Sequence, residues 1–259
     1  MVSSVASPDM KKISVITIVF NAVRTIGKTL ESVASQDYPN IEHVVVDGAS
    51  TDGTLEVINQ HDKRLLKFIS EPDQGIYDAM NKGLALASGD IICFLNADDH
   101  YISPHVLSFV AAEMEKNDLD ALMGDVVFFQ PNKPEKILRR YNSCHFSPDK
   151  LAQGWMPAHT ASFIKREIYQ RIGQFKTNYR ISGDFEFAVR MFTKTALNYR
   201  LYPEVLVKMQ DGGISNSGMM AQFLLNSEIM RACRENGIKT SVWQMTKRYP
   251  AKLKELFKR

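Results

Sequence analysis

The sequence predicts an α/β fold, a mostly parallel sheet flanked by helices, followed by a less regular half and C-terminal helices. Three observations predict it. The strand read at 90–95 is an apolar run from Ile91 to Leu95 without polar alternation, as in a strand covered on both faces. Strand and helix patterns alternate at short intervals through the first half, as crossover connections require. Polar residues (Asn21, Asp47 and the pair Asp98-Asp99) stand at the ends of three such strands, and in a parallel sheet those ends share the edge where ligands bind.

The elements follow in order. A strand at 13–20 ends on Asn21, and a helix at 25–35 puts Ile26, Leu30, Val33 and Ala34 on one face. After the turn Tyr38-Pro39-Asn40, a strand at 41–46 runs into Asp47-Gly48. A helix at 53–60, a strand at 65–69 and a helix at 76–87 lead to Ser88-Gly89 and the apolar strand. A helix at 104–116 opens on Pro104, tolerated in a first turn, and a strand at 121–129 closes the regular half at Pro131-Asn132. Beyond it we read Gly154-Trp155-Met156-Pro157, a helix at 183–195, a Gly212-Gly213 loop and a long helix at 219–236. The division is a leader or tag at 1–10, a first half at 11–125, a second half at 126–215 and a helical extension at 216–259.

With 259 residues, 44% hydrophobic and 24% charged, the chain can bury a core without staples. Cys93, Cys144 and Cys233 are widely spaced and odd in number, which fits neither a disulfide framework nor a zinc cluster and suits a reducing, cytoplasmic setting. No apolar stretch approaches the roughly 20 residues that span a bilayer, and residues 1–10 lack the parts of a signal peptide. Charge is unevenly placed. Residues 239–259 hold seven basic residues and one acid, a net +6, which leaves −3 on the rest. Interleaved with Trp243, Met245, Tyr249, Leu253, Leu256 and Phe257, they suit a segment resting on anionic lipid. A solvated basic helix with its apolar side on the body is the alternative. No nucleic-acid partner is expected.

Adjacent carboxylates repel unless a cation lies between them, so Asp98-Asp99 points to a hard divalent ion; a helix cap or a solvated loop acid is the bland reading. Residues 22–29 (Ala-Val-Arg-Thr-Ile-Gly-Lys-Thr) nearly fit a phosphate loop with Lys28, but Ala22 replaces its first glycine and Val23 and Ile26 are β-branched where amides must wrap a phosphate. A dinucleotide fingerprint is absent after the first strand.

Residues 16–21, 45–54 (Val-Val-Asp-Gly-Ala-Ser-Thr-Asp-Gly-Thr), 73–83 (Asp-Gln-Gly-Ile-Tyr-Asp-Ala-Met-Asn-Lys-Gly) and 94–99 together resemble family 2 of the inverting glycosyltransferases, in the variant of bacterial exopolysaccharide and colanic-acid-type transferases. The resemblance covers roughly 11–125 and is looser beyond. It implies a GT-A fold, a nucleotide-sugar-binding first half, an acceptor and catalytic second half, and a nucleotide-diphospho-sugar donor, a UDP-sugar being favoured. By position, Asn21 lies in the donor site, Asp47 accepts a hydrogen bond from the base, Asp73 and Lys82 line the nucleotide pocket, and Asp98 is the metal-binding acid of a DxD motif. That motif opens here with Asn96, able to bond a ribose hydroxyl but uncharged, with Asp99 as a second metal contact.

Sugar transfer must neutralise the leaving diphosphate and take the acceptor's proton. Mg²⁺ or Mn²⁺ on Asp98 meets the first need. For the second, Asp184 in Ser182-Gly183-Asp184 aligns with the family's base, although Gly183 stands where a Glu is usual; an ordinary helix N-cap is the alternative and Glu186 the fallback. His159 reads either as structural or as a diphosphate or acceptor contact, Trp155 as core or sugar platform, and Asp211 within 210–215 as part of a closing loop. The expectation is an inverting enzyme that adds one sugar to a glycan or lipid-linked acceptor, for bacterial surface polysaccharide, from the inner face of the cell membrane. A sugar-phosphate nucleotidyltransferase and a non-catalytic nucleotide-sugar-binding partner are the alternatives.

Overall fold

The first strand pairs on both sides with strands of its own direction. In the computed structural model, which describes residues 10–61, 66–212 and 218–247, β1 (Ile13–Val19) runs parallel to β2 (Ile41–Asp47) and to β4 (Ile91–Phe94), and β2 runs parallel to β3 (Leu66–Ser70). Val19 lies opposite Asp47 and Asp47 opposite Ser70, so the strands end together. Among the described residues the sheet has nine strands, in the order β3-β2-β1-β4-β8-β6-β9-β5, with β7 on β6. The direction of winding reverses between β1 and β4, and such a switch point opens a crevice beyond the strand ends.

Side-chain alternation explains the two-sided core. Ile13 and Val15 belong to one buried cluster with Cys93, Leu95 and Leu107, while Ile16 belongs to the other with Val44, Val46 and Phe94. α1 (Ile26–Ala34) buries Ile26, Thr29, Leu30 and Val33, a stripe at helical spacing. α2 (Thr54–Gln60) packs against α1, α3 (Ile76–Leu86) lies on β1 and β2, and α4 (Val106–Lys116) buries Val106, Leu107, Val110, Ala111 and Met114.

The second half is more regular than its sequence suggests. β6 (Ala121–Gln130) pairs with β7 (Lys133–Tyr141), β8 (Ser162–Lys165) and β9 (Tyr199–Gln210), and the two-residue β5 (His100–Tyr101) edges β9. β8 is antiparallel to both β4 and β6 and joins the halves into one sheet. α5 (Arg166–Ile172), α6 (Gly183–Lys194), α7 (Met219–Glu235) and the short α8 (Val242–Thr246) complete the described chain. The leader at 1–9, the loop residues 213–217 and the tail from 248 lie outside the described residues. Among the described residues, no helix is long and apolar enough to cross a membrane.

Candidate active site

The crevice is built by side chains of one loop holding the backbone of another. After β1, Asn21 adopts a left-handed conformation (φ 49°), which Asn tolerates better than most residues. Its N–H donates to Ser50 Oγ (2.7 Å), and the next two amides donate to Thr54 Oγ1 (2.8 Å) and Asp52 Oδ2 (3.1 Å). Asn21 Oδ1 accepts the Thr51 N–H at 2.9 Å. The amides of residues 21–23 are therefore spoken for, and Lys28 sits exposed within α1, so no phosphate loop forms here.

Asp47 is fully buried. Its carboxylate accepts the Ser50 N–H (3.0 Å), the Ser50 hydroxyl and the Ser70 hydroxyl (2.7 Å). In this structure Asp47, expected to bond the base, organises the loop beneath the crevice. Asp73 does face outward. Its Oδ1 accepts the Gly75 N–H at 2.9 Å, and its Oδ2 lies over Gly48, where a Cβ would sit 2.4 Å away. Only glycine allows that approach. The ring of Phe20, 64% exposed, edges the same spot and makes an apolar platform beside Asp73. Lys82 is turned away, donating to Pro72 O (2.7 Å) and paired with Glu71 (2.9 Å), whose hydrogen bond chiefly holds the ammonium above its ordinary pKa. In this structure it braces the β3–α3 loop.

At the end of β4, Asp98 and Asp99 part ways. Asp99 is 1% exposed and accepts from Gln210 N–H (3.1 Å) and Asn96 Nδ2 (2.9 Å), which ties this loop to the end of β9. Burial, then the charge of Asp98, raises its pKa well above the carboxylate range. Asp98 lines a cleft of about 890 Å³ with Arg24, Lys28, His100 and Gln210. Burial raises its pKa too, and its own backbone amide is what lowers it. Of the two acids expected at a metal, Asp98 faces the cleft, whereas both oxygens of Asp99 are engaged inside the protein. Among the described residues no group of three His, Cys, Asp or Glu could hold a metal. A desolvated carboxylate without an ion pair among the described residues fits a divalent ion whose remaining ligands are substrate phosphates and water.

Asp184 lies in the first turn of α6. Both hydrogen bonds to its carboxylate go to Oδ1, from Phe185 N–H (2.8 Å) and Tyr77 OH (3.3 Å). A cluster of Tyr77, Phe94, His159 and Phe175 rings connects this point to the end of β4, with His159 stacked on Phe94 at 5.2 Å between centroids. His159 Nε2 is buried without a partner among the described residues; burial lowers its pKa, and the Asp184 charge raises it. Glu186 is no fallback base: fully buried, it pairs with Arg190 (2.9 Å) and Lys176 (2.9 Å). Trp155 is 5% exposed, packed in the core beside Tyr141, and so offers no sugar platform. Asp211 is exposed, its N–H on Phe129 O, and residues 213–215 of the expected closing loop lie outside the described residues.

A scan against family models matches "Glycosyl transferase family 2" over residues 14–191. The chain belongs to glycosyl transferase family 2. A Mycobacterium tuberculosis protein named PGL/p-HBAD biosynthesis glycosyltransferase is 34% identical over 216 residues, 82% of each chain. The Haloferax volcanii glycosyltransferase AglE is 30% identical over 189 residues, 69% of this chain and 60% of that one. Two solved structures share the fold: Staphylococcus aureus TarS 1–349 in complex with UDP (TM-score 0.66, 20% identity, 87% of this chain and 65% of that one), and the Pyrobaculum calidifontis mannosyltransferase PcManGT with GDP-Man and Mn²⁺ (TM-score 0.64, 23%, 86% and 63%). Against the longer TarS chain this family 2 glycosyltransferase spans 40% of the length. The GT-A fold expected from the motifs is the fold observed.

Sequence reasoning gave no role to Phe20 beside Asp73, to Tyr77 on Asp184, or to Glu228 beneath residues 180–182 of this glycosyltransferase. Phe20 carried a signal, an aromatic at the very end of an apolar strand. Tyr77 stood unused inside the 73–83 motif, and Glu228 had no local signal.

Proposed function

We propose that the protein transfers one sugar, with inversion at the anomeric carbon, from a nucleoside-diphosphate sugar to a hydroxyl of a glycan or lipid-linked acceptor of the cell envelope. The observation that carries the reading is Asp184, a half-buried carboxylate joined by the Tyr77, Phe175 and Phe94 rings to the end of β4; among the described residues its Oδ1 holds both of its hydrogen bonds, and Oδ2 is left for an incoming hydroxyl. In one displacement the acceptor oxygen bonds to the anomeric carbon, the bond from that carbon to the diphosphate breaks, and the acceptor proton passes to Asp184 Oδ2. The nucleoside diphosphate leaves. Glu186, buried and ion-paired, is in no position to form the covalent intermediate of a double displacement.

Asp98 would hold Mg²⁺ or Mn²⁺, which supplies charge neutralisation at the leaving diphosphate when bound. Asn96, half-buried with its Nδ2 on Asp99, is the residue we assign to a ribose hydroxyl. Asp73, with Phe20 and Gly48, forms the floor for the base; Asp47, Ser50 and Asn21 keep that floor in shape. His159 Nε2, buried and unpartnered, offers a hydrogen bond to a bound diphosphate or acceptor. Bound UDP in one structural neighbour and GDP-Man in another support a nucleotide sugar, and we favour a UDP-sugar. The mycobacterial relative's role in PGL/p-HBAD biosynthesis supports an envelope acceptor.

The test is Asp184→Asn. With the UDP-sugar that most raises Tm in a thermal-shift panel, release of UDP falls at least a hundredfold while the donor's Kd stays within about twofold. Retained turnover removes Asp184 from the mechanism.

A further inference from the structure

We propose that Tyr77 is a positioning residue for Asp184: it fixes one carboxylate oxygen so that the other alone meets the acceptor. The proposal rests on the reading of Asp184 as the base. Tyr77 lies in the first turn of α3, 4% exposed, and its hydroxyl is 2.7 Å from Ile181 O and 3.3 Å from Asp184 Oδ1. The phenol has one proton for two acceptors, both on the segment that carries the base. With Phe185 N–H already on Oδ1, the phenol proton, shared with the nearer Ile181 carbonyl, adds a second and longer contact to that oxygen.

Gly183 makes the hold possible. A Cβ there would lie 2.7 Å from Tyr77 Cε2 and 2.8 Å from Cδ2 and Cζ, so the ring rests on the peptide backbone itself. The glycine that replaces the family's usual Glu is therefore the other half of the Tyr77 contact, not a lost functional group. From the opposite side, Glu228 of α7 accepts three successive amides, those of Arg180 (2.7 Å), Ile181 (2.9 Å) and Ser182 (2.8 Å). The Ile181 residue is thus held at its N–H by α7 and at its carbonyl by α3. Ring packing alone needs no hydroxyl, whereas aiming a carboxylate does.

Tyr77→Phe keeps the ring and removes the hold. We expect kcat for UDP release to fall on the order of tenfold to a hundredfold, with donor KM and donor Kd nearly unchanged and Tm somewhat lowered, because the Ile181 carbonyl loses its phenol donor. Gly183→Ala, which displaces the ring, should show the same kcat loss with a lowered Tm. In the double variant Tyr77→Phe/Asp184→Asn the tyrosine loss should vanish, since the two act as one unit. Wild-type kcat in Tyr77→Phe, or a further loss in the double variant, overturns the positioning role while leaving Asp184 as base. Full turnover in Asp184→Asn overturns the underlying reading instead.

Discussion

At the residue scale, the crevice separates acids that look alike in sequence. Asp47, Asp98, Asp99 and Asp184 all stand at strand or helix ends, and their positions were legible because strand ends converge in a parallel sheet. Their directions were not, because a side chain's direction depends on partners far along the chain: Ser70 for Asp47, Gln210 for Asp99, Tyr77 for Asp184. Lys82 shows the same limit, captured by Glu71 only eleven residues away. The contrast between Asp98 and Asp99 yields a prediction. Asp98→Ala removes the part of donor affinity that depends on Mn²⁺ and leaves Tm within about 2 °C, because among the described residues the hydrogen bond it loses is to its own amide. Asp99→Ala leaves the Gln210 amide and the Asn96 side chain unpaired, costs about 2 kcal/mol and lowers Tm by roughly 4–8 °C. Calorimetric titration of donor with and without Mn²⁺, beside thermal melts of both variants, decides it. If Asp99→Ala loses the metal effect and keeps its Tm, the assignment is reversed.

At the scale of elements, β2 carries a further consequence. Glu42 and His43 are neighbours on opposite faces of a buried strand. Burial, reinforced by the charge of His61, lowers the His43 pKa to about 3; its Nε2 lies 3.0 Å from Thr17 Oγ1. Burial would raise Glu42, but hydrogen bonds from Lys67, Ser14 and Ser88 outweigh it and hold the carboxyl at about 2. For His43, the unfolded chain binds a proton below about pH 6.5 that the folded chain refuses, so stability falls as pH drops from there towards 3, at up to about 1.4 kcal/mol per pH unit. For Glu42, stability is complete above about 4.5 and is lost towards 2. Between pH 7.5 and 5.5 only the histidine contributes of the two. We expect urea midpoints of the wild type to fall across this range and those of His43→Gln to fall less, the slope differing by about 1 kcal/mol per pH unit below 6.5; equal slopes would rule His43 out as the source. β2 was readable because every residue of it is buried and its period is plain. β9 was not, since Pro203 interrupts it, and the structure accommodates that proline in a register shift opposite Met123 and Asp125. β7, with a largely exposed Lys-Pro-Glu-Lys-Ile-Leu-Arg-Arg-Tyr, has no periodicity to read, and β5 is too short to leave a pattern.

At the scale of the whole molecule, charge and apolar exposure gather at the C-terminal end. α8 is anchored by Met245, 4% exposed, and by the Thr240 hydroxyl on Ala152 O, and it leaves Val242 and Trp243 66% and 76% exposed. They stand at the start of the 21 residues that carry +6 against −3 elsewhere. The first turns of α7 expose Met219, Met220 and Phe223, two to six residues before Leu225, whose carbonyl accepts from Ser182 beside the proposed base. An acceptor rooted in a bilayer would thus approach where apolar side chains already face out. A tryptophan and basic side chains together favour an anionic surface, each Lys or Arg adding about 1 kcal/mol near it. We expect the full chain to sediment with vesicles of one part phosphatidylglycerol to three parts phosphatidylcholine at low salt. Binding should be largely released at about 0.5 M salt, where charges screen within a few ångströms. Trp243→Ala should weaken it without changing Tm, because that ring is outside the core. Pure phosphatidylcholine should capture little. Equal binding to both vesicle types would assign the contact to the apolar side chains alone, and no binding to either would remove the membrane from the proposed acceptor's route to Asp184.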